Sequence, residues 1–322
     1  MSKKLLIVVT IFIMLAGAGF TAYRYFEGER EYNQAYQPEK VTDLPRRLYS
    51  LEGDKSRPLL SPMGVIVDKG RIYSTSADGR VIVTDREGKR YREAVVLTGF
   101  PPLTSIAASD EGRLYVSSVQ KKEVRVFERN GDTVPKGALG GNGDIFAGDE
   151  LLTPIGLDYH QDHLYVTDVG DHSVKIFNLR GELVKKFGGA GSAAGKFSYP
   201  NGVTVAPDGK IFVADSNNAR VQIFDRDCRY LETLPQPAAE KDRMLHPRSV
   251  AIDKLGRTHV LDTLRGLVHI YSADHEYLFN YGQDEAAGAR LRFPNSISID
   301  EATGLIFIAD RRNNRLAVWA GK

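Results

Sequence analysis

Apolar and polar residues alternate in short runs along most of this chain, and turn-forming residues separate the runs. Residues 196–225, KFSYPNGVTVAPDGKIFVADSNNARVQIFD, show the unit at its clearest. Pro200-Asn201-Gly202 reads as a turn, and Val203 and Val205 begin an alternating strand. Ala206-Pro207-Asp208-Gly209 carries the proline and glycine of a tight turn. Residues 210–214 form a second strand, rich in β-branched and aromatic side chains. Residues 215–218 are another turn and residues 220–224 a third strand.

The same pattern recurs six times. A small residue follows the first turn of each copy: Gly64, Ser105, Gly156, Gly202, Ser249 and Ser296. The spacings are about 41, 51, 46, 47 and 47 residues, close to the period of four-stranded propeller blades. A polar turn residue lies downstream in each copy: Ser76, Ser118, Asp168, Asp215, Asp262 and Asp310. The third landmark is an apolar-x-apolar-aromatic strand, VRVF at 124–127, VKIF at 174–177, VQIF at 221–224, VHIY at 268–271 and LAVW at 316–319, with VIVT at 81–84 in the first copy. A fourth segment follows each copy but the last: REAVVLT, KGALG, ELVKKFG, YLETLP and EYLFNYG. The last copy stops short of one, and residues 46–53 (RRLYSLEG) resemble EYLFNYG. An open ring has two unpaired edges, so residues 46–53 are expected to supply the outer strand of the blade begun by residues 294–319.

The N-terminus departs from this pattern. After Met1-Ser2-Lys3-Lys4, an uncharged apolar run from Leu5 reaches Tyr23 before Arg24. About 19 helical residues span roughly 28 Å, close to a hydrocarbon core. Ala16-Gly17-Ala18 has the form of a signal-peptide cleavage site. The run nevertheless continues past it into Phe20 and Tyr23, which favours an uncleaved anchor. Lys3 and Lys4 then place the N-terminus in the cytoplasm. The expected organisation is an N-terminal transmembrane helix (1–23), a juxtamembrane spacer (24–42) and an extracytoplasmic all-β, six-bladed propeller (43–322).

Composition changes this picture little. Hydrophobic residues make up 42% and charged residues 26%, as in ordinary globular proteins. Net charge is +2, from 43 basic and 41 acidic residues, which argues against nucleic acid as a partner. Cys228 is the only cysteine, so an intramolecular disulfide, a CxxC zinc site and a lipoprotein anchor are excluded.

KFSYPNGVTVAPDGKIFVADSNNARVQIFD and RLRFPNSISIDEATGLIFIADRRNNRLAVW resemble NHL repeats, as do the links FGGAGSAAGKF and LGGNGDIFAGDE. The resemblance covers residues 58–319 and is most specific in the copies starting near Leu152, Phe197 and Arg292. It implies a six-bladed β-propeller. Such propellers serve as binding platforms, sensor domains and occasionally enzymes.

In such a blade, the loop entering the inner strand and the loop between the second and third strands share one face. The long links 136–153, 188–198, 232–246 and 282–292 add to it, and function is expected on this loop-rich face. Met63, Ile155, Asn201, Arg248 and Asn295, with Thr104 aligned in the second copy, should ring the mouth of the central channel. Arg248 suits an anionic group, and His246 stands beside Pro247 at the same mouth. Asp168, Asp215, Asp262 and Asp310 invite comparison with a cation-binding ring. Once-per-blade recurrence is, however, what a structural turn residue produces. His160, His163 and His172 do not converge, since the hairpin and the next turn lie on opposite faces. GGAGSAAGKF is not a phosphate loop, because Phe197 stands where Ser or Thr is required. No motif identifies a cofactor.

The expected function is a binding or scaffold propeller, tethered to a membrane and engaging a protein or small ligand through its loop-rich face. The alternative is a metal-dependent lyase or hydrolase with its site at the channel mouth, as in some propellers related to the NHL type. A third reading, RNA binding as in some NHL proteins, conflicts with the balanced charge.

Overall fold

In the computed structural model, which describes residues 44–54, 57–88, 92–96, 102–128, 144–283 and 290–321, each repeat is one antiparallel four-stranded sheet. Blade 1 comprises Val65–Asp68, Arg71–Thr75, Arg80–Asp85 and Arg92–Val96. Blade 2 comprises Ile106–Ala108, Arg113–Ser118, Glu123–Glu128 and Asp144–Ala147. Blade 3 runs Pro154–His160, His163–Asp168, Ser173–Asn178 and Leu183–Gly188. Blade 4 runs Pro200–Val205, Ile211–Asp215, Arg220–Phe224 and Tyr230–Thr233, and blade 5 Pro247–Ile252, Thr258–Asp262, Leu267–Tyr271 and Tyr277–Tyr281. Blade 6 takes Pro294–Ile299, Leu305–Asp310 and Arg315–Ala320 from the end of the chain. Its fourth strand is Arg46–Leu51, antiparallel to Arg315–Ala320 with Arg47 opposite Trp319 and Leu51 opposite Leu316. The inner strands of neighbouring blades touch all the way round, blade 6 against blade 1 included. The result is a closed six-bladed propeller.

The alternation along the strands buries one set of side chains between blades. Six apolar clusters result, one at each blade-to-blade interface. Val174, Phe197, Val203, Val213 and Phe224 join blades 3 and 4. Leu51, Leu59, Ile72, Phe307 and Leu316 close the seam between blades 6 and 1. Each fully buried side chain of this kind contributes about 1.5–3 kcal/mol. Ion pairing crosses the same seam, from Arg86 of blade 1 to Asp300 of blade 6.

The recurrent small residue has a steric cause. Inner strands converge on the axis, and a Cβ on Gly202 would lie 2.5 Å from the carbonyl oxygen of Arg248 in the next blade. Where serine replaces glycine, its hydroxyl is used across the gap: Ser249 Oγ accepts from Ile297 N at 3.2 Å. Hydroxyls near the ends of the second strands add further stitches. Ser117 donates to Ile155 O (2.7 Å) and Thr167 to Asn201 O (3.1 Å). Ser216 donates to Pro247 O (2.5 Å) and Thr263 to Pro294 O (2.6 Å).

The recurrent aspartates are structural. Asp168, Asp215, Asp262 and Asp310 are fully buried. Asp168 accepts from Leu152 N, Thr153 N and Gly170 N, and pairs with Lys175 at 2.7 Å. Asp215 accepts from Ser198 N, Asn218 Nδ2, Arg220 Nε and Gln222 Nε2. Each therefore fastens the loop entering its blade to the turn after the second strand, and their oxygens are spent on these bonds.

Three expectations need correction. Pro200-Asn201-Gly202 is the bulged start of the inner strand rather than a turn before it. The outer strand of blade 2 is Asp144–Ala147, from a stretch read as a glycine-rich link, whereas KGALG lies outside the described residues. The expected localisation, single-pass with an extracytoplasmic propeller, is withdrawn. The described residues form strands and short 3₁₀ turns, and no helix among them is long and apolar enough to cross a membrane. The expected transmembrane helix and signal anchor (1–23) and the spacer (24–42) lie outside the described residues.

Candidate functional site

The inner strands enclose a central cavity of about 1440 Å³ lined by all six blades. Met63, Thr104, Ile155, Asn201, Arg248 and Asn295 all line it, at its loop-rich end. A register slip puts the last three there. Pro247 pairs with Asp262 and Ser249 with Leu261, which leaves Arg248 as the extra residue of a β-bulge. Asn201 and Asn295 occupy the same bulge between Pro200 and Gly202 and between Pro294 and Ser296. A bulge re-aims one side chain out of the alternation, here into the channel.

The mouth residues differ in what they have left to offer. The Asn201 amide is committed, donating to Tyr199 O (3.1 Å) and Ser216 Oγ (2.6 Å). Asn295 donates to the Met63 sulfur at 2.8 Å, a weak acceptor, and its buried Oδ1 has no partner among the described residues. Arg248 is half-buried and, among the described residues, has neither a hydrogen bond nor an ion pair. Burial, and then the charge of Arg311, push its guanidinium down to about 10, so it remains charged at neutral pH. Arg311 follows Asp310 on the adjoining blade and is exposed. His246 does not line the cavity. Its imidazole is lowered by burial and then by Arg248, an effect partly offset by Asp262.

Charge is unevenly placed along the channel. Among the described residues, no carboxylate lines the mouth end. Asp68, Asp208, Asp253 and Asp300 lie with Lys69 and Lys254 around the hairpins at the other end. Asp158 lies between, on the inner strand of blade 3. Its Oδ2 accepts from Val205 N of blade 4 (2.6 Å) and its Oδ1 from Tyr159 N (3.0 Å). Burial without a cationic partner raises this carboxyl to about 7.

A second feature surrounds the mouth and was not anticipated from the sequence. Leu60, Leu152, Tyr199, Leu245 and Phe293 stand two or three residues before the mouth residues of blades 1, 3, 4, 5 and 6. With Leu264 in the outer turn of blade 5, they are 38% (Phe293) to 57% (Leu264) exposed. Arg312 lies 4.1 Å over the Phe293 ring. Exposed apolar side chains scattered singly need no explanation, but six on one face form a rim. The sequence signal was present: an apolar residue just before the Pro-x-small turn in five copies.

Other sequence candidates are absorbed by the scaffold. His172 Nδ1 accepts from Tyr199 N at 3.0 Å, and His163 bonds Gln161 O at 2.8 Å. His160 lines the opposite end of the cavity, so the three do not meet. In the GGAGSAAG link, Gly195 N donates to Gln222 Oε1 and Lys196 Nζ to Gly188 O, while Arg220 reaches Ala193 O and Lys196 O. Among the described residues, no group of three or more His, Cys, Asp or Glu could hold a metal ion.

Comparisons with known proteins agree with this architecture. A family model for the NHL repeat matches residues 197–224 and 291–319. The human E3 ubiquitin-protein ligase NHLRC1 (Homo sapiens) is 30% identical over 117 residues, which is 36% of this chain and 27% of that protein. The chain thus spans about a quarter of that curated relative's length. Among solved structures, a streptogramin B lyase aligns with a TM-score of 0.58 at 14% identity, covering 84% of this chain and 97% of that one. A chain of a nidogen/laminin complex aligns with a TM-score of 0.56 at 15% identity, covering 70% and 81%. At these identities the structural likeness shows the fold alone. The NHL matches fall on the two repeats where Asp215 and Asp310 fasten the blade, and the chain is a six-bladed β-propeller with NHL repeats in blades 4 and 6.

Proposed function

We propose that this propeller is a binding module that engages a protein partner through its loop-rich face, centred on the channel mouth. The observation that carries the reading is the apolar rim: six large side chains held exposed around the opening on five of the six blades. Side chains hold the backbone N–H groups of several of them. Leu152 N and Leu245 N are held by Asp168 and Asp262, and Tyr199 N by His172. A rigid rim loses little conformational entropy on binding, and apolar anchors within a polar surround are what protein interfaces use.

The test is site-specific photo-crosslinking of the full-length chain in its producing cells. Probes go in place of Tyr199 and Leu245 on the rim, and of Leu255 and Val184, exposed residues away from it. The reading expects one protein to be trapped from both rim positions and neither control position. Equal trapping from all four, or none from the rim, would contradict it.

A further inference from the structure

We propose that the channel mouth receives the carboxylate of an acidic side chain, carried at the tip of a loop on a folded protein partner. Arg248 is its receptor and Arg311 a second cation beside it. The proposal rests on the loop-rich face being the binding face, and it specifies what that partner presents.

The first support is an unmet charge. A half-buried guanidinium costs free energy unless paired, and mouth arginines elsewhere in the ring of loops are paired: Arg220 with Asp215, Arg315 with Asp310. Arg248 has no such partner among the described residues, and the charge that acts on it is the like charge of Arg311. Among the described residues, the mouth end of the channel wall supplies no carboxylate, and in this proposal the compensating charge comes from a partner. Arginine's planar fork matches a carboxylate bidentately.

The second support is independent. Asn295, the neighbouring bulge residue, is more than nine-tenths buried, lines the cavity and has an Oδ1 without a partner among the described residues. A loop seated on Arg248 brings backbone N–H groups that can donate there. The distribution of apolar side chains then selects a loop over a chain end. The rim occupies blades 1, 3, 4, 5 and 6, so the occupant is centred and covers several sectors at once. A chain end would leave across one sector and leave the others bare.

The probes are two displayed libraries, short disulfide-closed loops and linear peptides with free C-termini, selected on the full-length chain. Expected is enrichment of loops with a central Asp or Glu flanked by apolar residues. Binding of these loops should fall about tenfold or more on Arg248→Gln and on changing the acid to its amide, less on Arg248→Lys, and with rising salt. Arg311→Ala, an exposed position that cannot compromise the fold, should cost a smaller part of the same affinity. Unchanged urea midpoints confirm that the variants are folded. Enriched loops that lack an acid, ignore Arg248→Gln and are lost on Leu245→Asp would overturn the carboxylate inference while leaving the binding face in place. Enrichment of free-C-terminal peptides alone would overturn the loop assignment. No enrichment in either library would overturn the proposal together with the reading it rests on.

Discussion

Asp158→Asn should change the protein's stability with opposite signs at low and high pH. In the folded chain this carboxyl accepts two backbone N–H bonds but faces no cation, and burial raises it to about 7 from an ordinary 3.8. The folded pKa is above the unfolded one, so the stabilising contribution is fully present below about 4 and is lost as pH rises through about 7. Each tenfold change in proton affinity corresponds to about 1.4 kcal/mol, so the whole effect has a ceiling of roughly 4 kcal/mol. Asparagine carries no charge and removes this slope. It also presents one acceptor oxygen where the carboxyl presents two, so either Val205 N or Tyr159 N loses its bond, at about 1 kcal/mol. The variant should be less stable than the parent by about 1 kcal/mol near pH 4 and more stable by up to about 3 kcal/mol at pH 8. Urea unfolding of both chains from pH 4 to pH 8 measures the difference, in which contributions from other groups cancel. A stability difference independent of pH would refute the reasoning.

Three further outcomes follow from the same structure. Asp215→Ala strands Ser198 N and Arg220 in a buried setting and should cost about 3–5 kcal/mol by urea unfolding, whereas exposed Asp227→Ala should change stability by less than about 0.5 kcal/mol. Gly202→Ala places a Cβ 2.5 Å from Arg248 O and should cost about 1–3 kcal/mol, measurable as a lowered thermal midpoint. Leu51→Ala opens the seam core of the closing strand and should cost about 2–5 kcal/mol, while Leu48→Ala on the exposed side of the same strand should be close to neutral.

Much of the fold was legible because each repeat states its own constraints. The small residue at Gly202 and its counterparts reports the crowding of inner strands. The aspartates report loops that need a buried acceptor. The missing fourth strand of the last copy pointed to residues 46–53, and Arg46–Leu51 does pair there. What escaped was written in weaker patterns. Asp144–Ala147 is a four-residue strand inside a glycine-rich stretch, too short for alternation to declare itself. The bulges at Asn201, Arg248 and Asn295 depend on pairing register, which a single strand's sequence does not encode. The channel-mouth ring was placed from the repeat alignment, but that Asn201 is committed and Arg248 is not depends on neighbours distant in the chain, such as Ser216. The apolar rim escaped because its members sit in loops, where the once-per-repeat apolar residue before each Pro-x-small turn reads as part of the turn and its exposure is set only by the fold. The raised pKa of Asp158 likewise reflects an environment without a cation, which only the three-dimensional arrangement defines.

The central claim is that the rim around the channel mouth is where a protein partner binds. Its most direct test is quantitative co-purification from the producing cells, comparing the parent chain with a Leu152→Asp, Leu245→Asp, Phe293→Asp variant and a Val184→Asp, Leu255→Asp control. All five positions are exposed, so neither set should disturb the fold. At least one protein should be recovered with the parent and the control and be lost, about tenfold or more, with the rim variant. Recovery of the same proteins with all three would contradict the account.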